Sequence, residues 1–362
     1  MNHVNQRYIK GLKTKTTSAQ KIPPTLPLPK GGISVPSLAK RGEGRLFQCK
    51  SYFETTLRNL LKFFLFIVAA AIVFSAGSAS AAEKPLKGED ILLETYHRNL
   101  AKFERNNFGF PLFLESFERG DRVHVDVYGI FDYPFGSVVN VLRAPANWCD
   151  IVFLHPNVKA CTYRELPETW RLTFYIGRKV YQHPADTRQV IYRYRKVDQQ
   201  QGYLDIILDA DEGPFGTKEH KMRFEALPLD GGRTFVHVSY EYSGSVSLRL
   251  AEKVYFATLG MGKVGFTVTG TDRKGNPIYI GGARGAVERN AVRYYFAIQS
   301  VMNTLRYPEK SRFSMRTSEW YDLTTRYRKQ LYEMDKKNYL TFKATEHMNQ
   351  VTLQRSIGTG LQ

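Results

Sequence analysis

Cysteine is scarce in this chain of 362 residues, which has three, and no pair of them stands in a C-x-x-C arrangement. That argues against a thioredoxin-type redox site. The sequence also lacks the H-E-x-x-H zinc motif and the G-x-S-x-G nucleophile motif. Its one G-x-G-x-x-G match, residues 260–265, follows a helical pattern and precedes a strand pattern, the reverse of a dinucleotide site. We therefore predict no catalytic motif, no metal and no cofactor.

Long apolar runs are also few, and the one at Phe63 to Phe74 has 12 residues. A helix of that length rises about 18 Å, which is too short for a hydrocarbon core of about 30 Å. Arg58 and Lys62 precede the run, and small residues ending in Ala79-Ser80-Ala81 follow it. This pattern predicts a signal peptide over residues 57–81, cleaved between Ala81 and Ala82, and an exported protein of the periplasm or cell envelope. The alternative is an inner-membrane anchor formed by residues 60–82.

Residues 1–56 are rich in proline and glycine around Pro23 to Gly32 and show no periodicity. We interpret them as a disordered extension or as the product of a start codon placed too early. Of the 52 basic and 34 acidic residues, the first 81 positions hold 12 and 2. The remaining 40 basic and 32 acidic residues give a net charge of about +8. A charge this small no longer indicates a nucleic-acid partner. Peripheral contact with an anionic membrane surface remains open.

The rest of the chain changes from helical to alternating and back to helical patterns. A helix is predicted in residues 82–110, then a β-hairpin at 113–131 and two short helices beginning near Phe135 and Pro145. Alternating runs between Val158 and Tyr242 predict an antiparallel meander. A helical run over 248–259 and a hairpin fill residues 243–282. Helices at 283–306 and 318–338 follow, and residues 307–362 end in an unstructured tail after Gln350.

This order resembles the helix-grip fold of the START and polyketide-cyclase-like superfamily (SRPBCC) over residues 111–306. Three segments carry the resemblance. Val127 to Phe135 resembles the first strand running into the first short helix, Pro145 to Cys149 the second short helix, and Glu288 to Tyr295 part of the long helix. The inserted residues 243–282 depart from the pattern. The resemblance implies an α+β fold, in which a curved antiparallel sheet is crossed by a long C-terminal helix and flanked by further helices.

The resemblance also implies a tunnel between sheet and helix that holds a hydrophobic small molecule, of the lipid or isoprenoid class. The candidate ligand-binding residues are Trp148, Tyr192, Tyr240, Arg289 and Tyr295. A binding or transfer protein is the favoured function. The alternatives are a cyclase- or hydrolase-type enzyme on the same fold and a structural envelope protein that is not an enzyme.

Two further features leave alternatives open. Cys149 and Cys161 remain after the predicted cleavage, and an exported location permits a disulfide between them; two buried thiols are the alternative. His220 and His237 could face each other across paired strands, as could Asp126 and a neighbour. Such residues could form a catalytic or metal cluster, or could be polar positions on the surface and rim of the sheet.

Overall fold

The computed structural model describes residues 88–200, 202–244 and 262–358. All of them belong to the compact unit Lys84–Gln362. The predicted extension, signal peptide, cleavage site at Ala81 and Ala82, and helical run over 248–259 lie outside the described residues. In the part of the chain that is described, no helix is both long and apolar enough to cross a membrane.

Eight helices and ten strands are described. The helices are α1 Gly88–Arg98, α2 Leu100–Glu104, α3 Phe135–Leu142, α4 Pro145–Phe153, α5 Gly282–Thr304, α6 Glu309–Thr325, α7 Arg328–Leu331 and α8 Lys336–Gly358. The strands are β1 Leu112–Arg119, β2 Arg122–Phe131, β3 Val158–Glu165, β4 Trp170–Ile176, β5 Arg188–Gln200, β6 Tyr203–Glu212, β7 Thr217–Leu229, β8 Arg233–Gly244, β9 Val268–Thr271 and β10 Pro277–Tyr279.

The first eight strands form one curved antiparallel sheet in the order β1-β2-β8-β7-β6-β5-β4-β3. Successive side chains point to opposite faces of the sheet, and burial alternates with them on some strands, whereas β3, β6 and β8 are buried on both faces over much of their length. On β2, for example, Val123, Val125 and Val127 are buried on the inner face. The α+β helix-grip architecture predicted from the sequence is confirmed.

Helix α5 packs against the inner face, and nearly all of its surface is buried. Gly129 of β2 lies against this helix, and a Cβ added there would lie 2.1 Å from the hydroxyl of Tyr295. Any residue larger than glycine at this position would force the Tyr295 ring to move. The segment leading into α5 is held by Glu288, whose buried carboxylate accepts bonds from the Phe266 and Thr267 amides at 2.6 and 3.0 Å. Glu288 is therefore an internal anchor.

The outer face is partly covered by α1 and α2. The predicted N-terminal helix is interrupted at Asn99, and its residues Leu92 and Phe103 pack with Phe113, Tyr203 and Phe235 in a second, smaller cluster. This cluster leaves the middle of the outer face to polar side chains.

The C-terminal region differs from the prediction. The single helix expected over 318–338 is wrong, because α6 ends at Thr325 and the chain is extended at Tyr332. Residues after Gln350, expected to be unstructured, continue α8 to Gly358. Helix α8 covers the open edge of β3: Gln350 accepts a hydrogen bond from the Cys161 amide at 2.7 Å, and Gln354 accepts one from the Tyr163 amide at 2.9 Å. A free strand edge is thereby protected.

Cys149 of α4 and Cys161 of β3 form a disulfide with a Cα–Cα distance of 5.0 Å. That separation is inside the range of about 4.4–6.8 Å that a disulfide allows. The bond ties α4 to the edge strand, and a loop this short adds about 3 kcal/mol at most by the chain-entropy model.

Candidate ligand-binding site

Four tyrosines and one histidine meet between the sheet and α5. They are Tyr192 of β5, His220 of β7, Tyr240 and Tyr242 of β8, and Tyr294 of α5, and we call them the inner cluster. The Tyr240 ring lies 6.2 Å from the Tyr294 ring, and His220 stacks on Tyr242 at 5.4 Å. The inner cluster is a polar patch inside an otherwise apolar core.

The hydrogen bonds of His220 define its tautomer. The Thr217 hydroxyl donates to the Pro214 carbonyl at 2.6 Å, so its oxygen must accept from Nε2 of His220, 2.7 Å away. Nδ1 of His220 is then the acceptor, and it lies 3.1 Å from the Tyr240 hydroxyl and 3.4 Å from that of Tyr192. One lone pair cannot fully serve two donors. One tyrosine hydroxyl therefore has hydrogen-bonding capacity left for another group.

The inner cluster is uncharged. Burial lowers the pKa of His220 to about 4, and burial raises the pKa values of Tyr192, Tyr240 and Tyr294. Neutral hydroxyls can orient a polar group on a bound molecule. Acid–base catalysis near pH 7 would instead need groups that titrate close to that pH.

Solvent-accessible surface remains at this point of the interior. Tyr240 and Tyr242 are each 8% exposed and Tyr294 is 9% exposed, whereas Ile206 and Phe224, deeper on the same face of the sheet, are 0% exposed. The small exposed fraction therefore lies at the polar side chains of the inner cluster and not at the apolar ones.

The predicted ligand residues divide into two groups. Tyr192 and Tyr240 meet in the inner cluster, at His220. Tyr295 packs instead on Phe131 with ring centroids 5.3 Å apart, and Trp148 donates from Nε1 to the Leu142 carbonyl at 2.7 Å. Arg289 is buried on α5. Their role in binding stays a prediction.

Sequence reasoning missed His220, Tyr242 and Tyr294 as members of the cluster. A signal for His220 is present in the sequence, because Met222, Phe224 and Ala226 form an alternating apolar run and His220 is two residues earlier, at the position that faces the same way. Tyr294 could not be recognised from helical periodicity, because Tyr295 fits the apolar positions of the helix and Tyr294 does not.

A buried charged group adjoins the inner cluster. His155 stacks on Tyr294 at 5.3 Å and contacts Asn290 at 3.2 Å, and burial together with Arg293 lowers its pKa well below the usual value. Arg293 donates to Glu333 at 2.6 Å. Lys179 and Lys263 contact the same carboxylate at 2.6 and 2.9 Å. Burial opposes ionisation of Glu333, but these cations lower its pKa to about 2.

The outer face carries a separate chain of alternating charges. His237 lies 2.8 Å from both Asp126 and Glu225, and His124 lies 2.9 Å from Asp126 and 3.2 Å from Glu241. Burial opposes protonation of His124, but Asp126 and Glu241 raise its pKa to about 9. Asp126 and His237 thus contact each other across neighbouring strands. His220 lies on the opposite face of the sheet, so the expectation that His220 and His237 could face each other is wrong. Among the described residues, no cluster of three or more side chains is arranged to hold a metal ion.

Solved structures with a similar arrangement cover part of this chain. A STAR-related lipid transfer protein from Xanthomonas axonopodis is 17% identical over 43% of this chain and 92% of its own, with a TM-score of 0.29. Norcoclaurine synthase from Thalictrum flavum is 11% identical over 40% and 87%, with a TM-score of 0.28. The Zhui aromatase/cyclase from Streptomyces sp. R1128 is 13% identical over 34% and 70%, with a TM-score of 0.27.

No protein-family profile and no curated protein sequence matches the chain. The fold is read from the strand order and helix placement of this chain itself. At that level the chain has the helix-grip arrangement, and the resemblance to the START and polyketide-cyclase-like superfamily beyond the fold stays a prediction.

Proposed function

We propose that this protein binds a hydrophobic small molecule of the lipid or isoprenoid class between the curved sheet and α5, as a binding or transfer protein. The observation that carries the proposal is the inner cluster. Its hydroxyls have spare hydrogen-bonding capacity inside an otherwise apolar core. An apolar site with a few orienting polar groups is the usual form of a small-molecule site.

The neutral state of the cluster favours binding over catalysis. The pKa of His220 is lowered to about 4 by burial, and the pKa values of Tyr192, Tyr240 and Tyr294 are raised by burial, so these four groups stay neutral near pH 7. The polar group of the ligand would receive a hydrogen bond from a tyrosine, while its apolar part replaces water along the inner face.

The test is extraction of the purified protein with organic solvent, identification of the bound molecule by mass spectrometry, and titration of that molecule into variants. Tyr240→Phe removes one hydroxyl, and a hydrogen bond of about 1 kcal/mol corresponds to an affinity loss of about fivefold. Tyr128→Phe, the same change on the outer face, should leave the affinity unaltered. Equal affinities for all three proteins would remove the inner cluster from the binding site.

We also propose that the protein is exported, on the strength of the pattern at residues 57–81. Sequencing the N-terminus of the protein isolated from its native cell should give a start at Ala82. A start at or before residue 50 would contradict export by cleavage at this position.

A further inference from the structure

A wide groove opens on the surface between the loop after α2, strand β1, the β9–β10 hairpin and the α6–α7 junction. Its volume is about 950 Å³. Residues Phe108, Phe266 and Tyr327 form its aromatic floor, with Phe108 and Phe266 stacked at 5.0 Å and Tyr327 5.5 Å from Phe108. The groove shares no lining residue with the inner cluster.

The loop that forms one wall is held in place by its own hydrogen bonds. The Asn106 side chain donates to the carbonyls of Phe103 and Phe110 at 2.9 and 3.0 Å and accepts from the Phe108 amide at 2.8 Å. Gly109 turns the chain with a φ of +73°, a conformation that favours glycine. The Tyr327 hydroxyl donates to the Phe108 carbonyl at 2.7 Å, which joins this wall to the α6–α7 junction.

The rim of the groove is strongly basic. Five basic side chains and one acidic side chain line it. Lys102 is paired with the acidic one, Glu115. Arg105, Arg326 and Arg328 are exposed and make no salt bridge with any described residue, and Lys329 lies over the ring of Tyr279 at 4.7 Å. These four cations thus surround an aromatic floor without a salt bridge to any described residue, although Asp272 of the hairpin turn is near enough to Lys329 for their charges to interact and Arg328 lies over the Tyr332 ring at 4.0 Å.

The hairpin beside the groove adds exposed apolar and basic residues. Val268, which lines the groove, is 40% exposed, and Ile278 is 48% exposed. The turn between the two strands carries Arg273 and Lys274, both exposed. Apolar side chains, tyrosines and cations side by side are the combination found where proteins touch the lipid–water interface.

We propose that this groove binds the head group of an anionic phospholipid presented by a bilayer surface. The four unpaired cations attract the phosphate, the aromatic floor lies beneath it, and Val268 and Ile278 contact the glycerol and upper acyl region. Inorganic phosphate offers the same charge without the apolar part, so comparison of the two probes distinguishes the sources.

The experiment is co-sedimentation of the purified full chain with vesicles of phosphatidylcholine alone or with about 30 mol% phosphatidylglycerol, an anionic lipid. The test variant is Arg105→Gln/Arg326→Gln/Arg328→Gln. The matched control is Arg164→Gln/Arg188→Gln/Lys310→Gln, which removes the same charge from exposed positions outside the groove. All proteins share the same N-terminal apolar run, so any contribution from it cancels in the comparison.

The wild-type protein and the control should bind the anionic vesicles with affinities within about twofold of each other, and the groove variant at least tenfold more weakly, since each cation near an anionic surface contributes independently. Val268→Glu, an exposed substitution in the groove wall, should weaken binding without the loss of any basic residue. Equal losses in the groove variant and the control would show attraction by net charge alone and overturn the proposal. The absence of vesicle binding would also overturn it. So would the finding that inorganic phosphate, at millimolar concentration and constant ionic strength, competes as effectively as anionic vesicles.

Discussion

Replacement of Glu346 by glutamine is expected to destabilise the folded protein by about 3–5 kcal/mol. Glu346 is fully buried on the inward side of α8 and lies 2.8 Å from Lys159 and 2.9 Å from Lys343, which are both about 1% exposed. Two ammonium groups share this single carboxylate. Without its charge, both lysines would stay buried with backbone carbonyls as their remaining partners, or would lose their protons.

Denaturant unfolding of Glu346→Gln beside Met348→Ala measures this effect. Met348 lies on the same helix, is 63% exposed, and should change stability by less than about 0.5 kcal/mol. The triple variant Lys159→Met/Lys343→Met/Glu346→Leu removes all three charges and should recover most of the lost stability. A loss below about 1 kcal/mol in Glu346→Gln would contradict the buried ion cluster.

The stability of the wild-type protein should depend on pH in the way that the burial of Lys343 predicts. Burial lowers the pKa of Lys343 to about 8 despite the attraction of Glu346. Between that value and the unfolded pKa of about 10.4 the unfolded chain binds more protons, so the contribution of Lys343 to stability rises with pH across this window.

The same cluster explains why sequence reasoning lost the C-terminal helix. The inward positions of α8 are Tyr339, Lys343, Glu346 and Gln350, which have helical spacing but mostly polar side chains. A search for apolar periodicity cannot find such a face. The apolar residues from Trp320 to Met334 have helical spacing and so predicted one continuous helix. The helix is in fact interrupted at Tyr327 and ends before Tyr332.

The strands of the sheet could be predicted because they have the apolar periodicity that α8 lacks. Strands β2 to β8 alternate between apolar inner positions and polar outer positions, and that period identifies strands directly. Pairing of particular side chains needs the register as well. The contact between Asp126 and His237 joins β2 and β8, which are far apart in the sequence, and the contact between His220 and Tyr192 spans β5 and β7 with β6 between them. Such a contact depends on side-chain reach across the curved face.

Replacement of Ala291 by tryptophan is expected to displace the bound molecule while leaving the protein folded. Ala291 is fully buried on α5, one turn before Tyr294 and Tyr295. An indole ring forced into a close-packed core causes strain of about 1–3 kcal/mol or more. If the space near Ala291 is filled by a ligand instead, the ring takes its place and the free energy of unfolding of the ligand-free protein changes little.

Ala297→Trp is the matched control. Ala297 is also fully buried on α5, four residues after Arg293, whose carbonyl accepts a hydrogen bond from Trp320 of α6. It therefore lies on the side of α5 that packs against α6, where no ligand is proposed. Ala297→Trp should show the full strain of overpacking in denaturant unfolding, and Ala291→Trp should not.

Native mass spectrometry of the wild-type protein and Ala291→Trp tests the central claim most directly. The wild-type protein is expected to carry one hydrophobic molecule per chain that is released by collisional activation, and Ala291→Trp should have the mass of the chain alone. A wild-type protein without bound mass, together with an Ala291→Trp variant that fails to fold, would show a close-packed core and contradict the account.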